Sequence, residues 1–262
     1  MNAAAGCLAV SLLAPLGAVA QEPIRDFSLD VIEELGRELY RRDMAASVAT
    51  DVLLAQRLNL DDFPLRGYVV TEDRKGFLVT FVGEYDAEIK AVFDVRPDQK
   101  ASPRFALAEQ RELSKEEAAQ FRALNVARRE ITEPCSDRYN SVVLDDPETD
   151  GQIVYLLAAS KEPGAIVVGG HYRVTVSASG EEVLAADRLS SACMTASPPD
   201  KSAGPSVAFV VTHLVSDTPV ETHVFLSLLH DEPMVVLTSE KTAWIVIEGD
   251  IERFELPEVE EP

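Results

Sequence analysis

Apolar side chains recur at helical spacing between Ser28 and Gln56: Leu29, Ile32, Leu35 and Leu39 come first, then Met44, Val48, Val52 and Leu54. Recurrence at three and four residues marks one buried stripe of a helix, and Ser28 is suited to cap its start. Gly36 and the patch around Ser47 and Thr50 weaken helical propensity, so the spacing allows a bend or two consecutive helices. Pro64 and Gly67 end the helical region.

A period of two follows. Tyr68 to Thr71 leads through the polar turn EDRKG into Phe77 to Val82, where Phe77, Val79 and Phe81 alternate with Leu78, Thr80 and Val82. In the next run Ile89, Ala91, Phe93 and Val95 share one face while Glu88, Lys90 and Asp94 share the other, with Val92 as the exception. This is the signature of a strand covered on one side. Phe105 and Leu107 predict a short fourth strand. A second helix opens with the capping box Ser114-Lys-Glu-Glu117, carries Ala118, Phe121, Leu124 and the Arg128 stem on one face, and stops at Pro134.

Beyond it the pattern predicts strands only, at 141–144, 152–158, 165–176, 182–189, 207–213, 221–229, 234–237 and 243–247, separated by turn signals such as PETDG, SASGE and HDEP. The stretch ASPPDKSAGPS reads as a surface loop. The order predicts an α+β fold in which a helix and an antiparallel β-meander, then a second helix and a β-rich C-terminal half, pack as two layers. The expected divisions are a leader at 1–20, a helix-plus-sheet unit at 21–132, a mostly antiparallel β unit at 133–255, and an acidic tail at 256–262. Helix-then-strands occurs twice, but no residue-level repeat accompanies it.

The leader changes the expected compartment. Residues 1–20, MNAAAGCLAVSLLAPLGAVA, carry no acidic or basic side chain, and the apolar run from Leu8 to Leu16 is shorter than the ~20 residues that span a bilayer. Ala18 and Ala20 are the small residues a signal peptidase reads, which predicts cleavage before Gln21. Positive charge in the n-region comes from the amino terminus alone. Cys7 precedes the apolar run, whereas a lipoprotein cysteine follows it. No later window holds 18 consecutive apolar residues, so no membrane anchor is expected after cleavage, and the chain should be a soluble periplasmic or secreted protein.

A hydrophobic content of 46% argues against disorder. The formal charge of −21 disfavours nucleic acid and anionic membrane surfaces as partners. Removing the leader leaves two cysteines, Cys135 and Cys193, which an oxidising compartment would join. Closing a loop of about 59 residues stabilises by roughly 4 kcal/mol in the chain-entropy picture. Neither cysteine has the C-x-x-C or basic setting of a reactive thiol.

Other candidate groups are tied to no motif. DDPETDG at 145–151 starts like a calcium loop with Asp146, Glu148, Asp150 and Gly151, but the twelfth position, which needs a bidentate carboxylate, is Leu157. It reads as an acidic hairpin turn. His171, His213, His223 and His230 have no ligand spacing, and His223 and His230 would face opposite sides of one strand. Gly169 and Gly170 lead into His171, Arg173, Thr175 and Ser177 on one strand face: a candidate binding face, or the solvent side of a half-exposed sheet. Ser190 and Ser191 lack a nucleophile elbow. Trp244 reads as a core or edge-strand aromatic. No metal or cofactor is expected.

These readings favour an exported binding or accessory module with an unidentified protein or small-molecule partner in the envelope. The alternatives are an envelope hydrolase with a dispersed Asp, Glu and His site, using His171 or His223, and a structural subunit joined through an open sheet edge.

Overall fold

The computed structural model describes residues 23–97, 103–160, 164–196, 208–238 and 242–255. The expected leader, the tail at 256–262 and most of the ASPPDKSAGPS loop lie outside the described residues. Helix α1 runs unbroken over Leu29–Ala55. Its first half buries Ile32, Leu35 and Leu39, as the spacing predicts. In its second half the stripe rotates: Ala45, Ala46, Ala49 and Leu53 are buried, Met44, Val48 and Val52 are half-buried, and Leu54 is 57% exposed. The helix passes from one core to another, and small alanines let the neighbouring sheet come close.

That sheet is the predicted meander, with β1 Leu65–Asp73, β2 Gly76–Tyr85, β3 Glu88–Arg96 and β4 Arg104–Glu112 antiparallel in sequence order. Val92 breaks the alternation because it is the extra residue of a bulge. Phe81 pairs with Phe93 and Val82 with Ala91, leaving Val92 between them and buried in the same core as Phe93. Helix α2, Lys115–Ala127, opens on the capping box: Ser114 Oγ accepts the Glu117 N–H at 3.1 Å, and Glu117 Oε2 accepts the Ser114 N–H at 2.7 Å. Arg128 is exposed, contrary to expectation, and Ala127 completes the buried stripe.

The β-rich half contains an antiparallel sheet in the order β5-β6-β8-β9, formed by β5 Tyr139–Asp145, β6 Gln152–Ala158, β8 Tyr172–Val176 and β9 Val183–Arg188. The expected run at 165–176 is interrupted at Gly169 and Gly170. Its first part is a separate short strand, β7 Ile166–Val167, paired with β10 Thr195–Ala196.

The last sheet corrects the sequence reading. Strand β11, Phe209–Thr212, runs parallel to β12, Met234–Leu237. The segment between them, expected as a strand at 221–229, is helix α3, Glu221–His230. Residues 221–227 are all buried there, so no polar face interrupts the apolar run, and periodicity cannot separate a buried helix from a buried strand. Parallel neighbours require a crossover, which α3 supplies. Strands β13 Thr242–Ile247 and β14 Asp250–Glu255 extend the sheet antiparallel.

Helix α3 packs on α1 where Gly36 sits. A Cβ on Gly36 would lie 2.4 Å from Val224 Cβ. The glycine that weakens the helix in the sequence permits this crossing. The main core joins the first half of α1, α3 and the inner faces of both C-terminal sheets. A second core joins β1, β2 and α2 to β5, β6 and β8, so packing continues across residue 133. No helix among the described residues is long and apolar enough to cross a membrane.

Candidate functional site

His171, Arg173 and Thr175 share a side of β8, but that side faces inward. They are 2%, 1% and 5% exposed, because the N-terminal segment and α3 cover a sheet face that alternation alone would assign to water. Arg173 is the hub. Its Nε and Nη2 donate to Asp187 Oδ2 at 3.0 and 2.8 Å, its Nη1 donates to Glu221 Oε1 at 2.6 Å, and Nη2 also donates to the Arg25 carbonyl. The partners come from β9, the first residue of α3 and the segment before α1.

Arg25 is held as tightly. Its backbone N–H donates to Asp187 Oδ2 at 3.3 Å, and its guanidinium bonds both Asp146 oxygens at 2.8 Å and Glu148 at 2.6 Å. Thr175 Oγ1 accepts from the same guanidinium at 3.5 Å. Both guanidiniums lie against the Phe27 ring, 4.6 and 4.9 Å from its centroid. Asp146, the first residue of the calcium-like run, is therefore the anchor of an arginine. It also holds its own turn by accepting from the Glu148 N–H at 3.0 Å and Thr149 Oγ1 at 2.9 Å. Burial opposes its ionisation, but the Arg25 guanidinium and these donors hold the carboxyl below its ordinary range.

Two buried atoms of the cluster, Tyr155 Oη and Glu221 Oε2, make no hydrogen bond of ordinary geometry among the described residues. Burial, followed by the Glu221 charge, pushes the Tyr155 phenol well above its usual range.

The histidines are also internal. His171 Nδ1 accepts the Ala158 N–H at 3.0 Å and Nε2 donates to the Val167 carbonyl at 3.1 Å, a pattern only the neutral ring can make. Burial lowers its pKa to about 4. His213 and His223 meet edge to face with centroids 4.8 Å apart, a pairing hidden in the sequence because the run at 221–229 reads as a strand. Burial lowers His213 to about 4 and His223 well below its ordinary value. His223 Nδ1 accepts the Val220 N–H at 3.1 Å and so secures the first turn of α3. His230, at the other end of α3, is half-buried, and its ring lies 6.3 Å from that of Phe209.

His213 Nε2 lies 2.8 Å from Ser216 Oγ, which invites a catalytic reading. Proton bookkeeping opposes it. Ser216 Oγ also lies 2.7 Å from the Thr218 carbonyl, which can only accept, so the serine proton goes there and His213 must be the donor to Oγ. The imidazole is then no base for that serine. Ser190 is committed in the same way, accepting from the Gly170 N–H at 2.6 Å and donating to the Ala192 carbonyl at 2.9 Å, while Ser191 is exposed. Trp244 is a core residue whose Nε1 donates to Thr238 Oγ1 at 3.0 Å.

Cys135 and Cys193 form the expected disulfide, with Cα atoms 5.4 Å apart. It joins the loop before β5 to the loop after β9 and packs on Gly170, where φ is +88° and a Cβ would lie 2.4 Å from Cys135 Sγ. Only glycine suits both constraints.

On the outside, an open cleft of about 840 Å³ runs along α1 towards the β5–β6 turn. Its walls mix carboxylates such as Asp30, Glu34 and Asp145 with Arg37 and Arg41. Arg37 reaches Asp250 at 2.5 Å, and Arg41 bridges Glu38 and Glu72. Among the described residues, no three His, Cys, Asp or Glu side chains are grouped to hold a metal ion. No family model, curated protein or solved structure matches the chain.

Proposed function

We propose that the chain is exported, cleaved after Ala20, and acts in the periplasm or outside the cell as a binding or accessory module. The Cys135–Cys193 disulfide carries this reading, because such bonds persist where thiols are not kept reduced. Two further observations fit. Ile24, Arg25 and Phe27, close after the expected cleavage point, are anchored in the main core and its charge cluster, so the mature N-terminus is built into the fold. The imidazoles that the hydrolase alternative needs, His171 and His223, are buried with ring nitrogens on backbone groups. Binding therefore falls to the surface.

The test is the intact mass of the protein recovered from the periplasm or medium of a bacterium expressing all 262 residues. A mass beginning at Gln21 is expected. A chain that stays in the cytoplasm and keeps residues 1–20 overturns the reading.

A further inference from the structure

The β11–β14 sheet has two apolar faces, and the core uses one. Register makes this explicit. The rows Phe209–Met234–Val246–Ile251 and Val211–Val236–Trp244–Arg253 point inward, and all their apolar members belong to the main core with α1 and α3. The alternate rows are Val210–Val235–Ile245–Glu252 and Thr212–Leu237–Ala243–Phe254, with Ile247 beyond them opposite Asp250. Among the described residues Val210, Val235, Leu237, Ile245, Ile247 and Phe254 join no core cluster. Val210 is 63% exposed, and Ile247 and Phe254 are 38% exposed. Ala243 in the second row is buried, but among the described residues no core cluster covers the larger apolar side chains of this face, whereas an uncovered face normally alternates to polar residues and parallel pairs such as β11 and β12 are normally covered on both sides. Contiguous exposed apolar surface of this kind marks an interaction site.

We infer that this outer face is a docking surface for a partner protein that presents an apolar patch flanked by lysine or arginine. The charge around the face selects that occupant. Asp250 is exposed opposite Ile247, and Arg253, the one basic side chain described in this sheet, stands on an inward row with its guanidinium 6.0 Å from the Trp244 ring. Glu252 ends an outward row, and Glu248 is exposed at the β13–β14 turn. A second copy would bring another −21 against this rim, whereas a basic rim would be attracted. The inference deepens the binding-module reading and rests on it, but its test is independent of export.

The probe is a fluorescent ten-residue peptide of alternating valine and lysine, titrated into the disulfide-intact protein and followed by anisotropy. A valine–glutamate peptide is the control. The lysine peptide is expected to bind, weakening as salt rises, with the control at least about tenfold weaker. Val210→Thr with Ile245→Thr should weaken binding about tenfold or more, and Glu252→Gln about threefold, with unfolding midpoints unchanged. Backbone amide shifts of the unsubstituted protein should move at 210, 235 and 245. Equal binding of both peptides, indifference to the substitutions, or shifts confined to the α1 cleft would overturn the proposal. So would sedimentation showing a dimer that the double substitution dissolves, which would give the face to a second copy. None of these results depends on where the chain is cleaved.

Discussion

Removing Arg173 alone should damage the fold more than removing it together with Asp187 and Glu221, the two carboxylates it neutralises. In Arg173→Met, Glu221, which is fully buried, and Asp187, which is 9% exposed, lose the guanidinium that neutralises them. The Arg25 carbonyl loses a donor as well. Stranding one side of a buried ion pair costs about 3–5 kcal/mol, because the remaining carboxylates lose their counter-ion and Asp187 keeps only the Arg25 N–H. For a chain of this size 1 kcal/mol moves the melting temperature by about 2–4 °C, so a drop of about 6–20 °C is expected. The triple substitution Arg173→Met, Asp187→Leu, Glu221→Met replaces the ions with apolar groups and removes the stranded charges, and it should recover more than half of that loss. Circular dichroism melts and urea midpoints at pH 7 read both variants. A single-variant loss below about 1 kcal/mol, or a triple variant no more stable than the single one, would refute this account of the core.

Gly36→Ala gains helical propensity but places a methyl 2.4 Å from Val224 Cβ, so a net loss of about 1–3 kcal/mol is expected in urea unfolding. Val224→Ala in the same chain should cost less than it does alone. Asp43→Asn should stabilise: burial pushes the Asp43 carboxyl up to about 6 from 3.8, against a hydrogen bond with Asn140. A raised carboxyl pKa favours the native state at low pH and counts against it as pH rises through 6, so the gain, about 1–3 kcal/mol at pH 7, should vanish near pH 3.5. The buried histidines act in the opposite direction. Unfolded imidazoles protonate below about 6.5, whereas native His171 and His213 resist until about 4, and burial holds His223 well below its ordinary value. The unfolded state then binds more protons, and stability should fall from pH 6.5 to 4 with a slope approaching 1.4 kcal/mol per pH unit for each ring, about that of one proton. Urea midpoints that stay flat between pH 7 and 4.5 would contradict it.

Local signals in the chain identify α1 and α2 because each buries one stripe and leaves the rest in water, and the first sheet because turn signals divide its alternating runs, although β1 and β2 are buried on both faces. The Ser114–Glu117 box is written within four residues and forms as written. Helix α3 is illegible for the opposite reason: with residues 221–227 all buried, its composition carries no contrast between faces. The Arg173 cluster fails for a third reason. Its alternation on β8 is correct, but alternation cannot say whether the polar side meets water or other charges. The answer depends on Arg25 and Glu221, 148 and 48 residues away. The pairing of Cys135 with Cys193 is readable because only two cysteines lie outside the expected leader, which leaves one choice.

Export is the claim on which the binding reading depends, and the redox state of those cysteines in living cells tests it most directly. Cells expressing the full chain are quenched in acid, free thiols are alkylated, and the protein is then reduced and labelled with a heavier reagent. The account predicts that Cys135 and Cys193 take only the second label, and that Cys7 is absent from the mature protein. Cys135 and Cys193 carrying the first label, on a chain that retains Cys7, would contradict it.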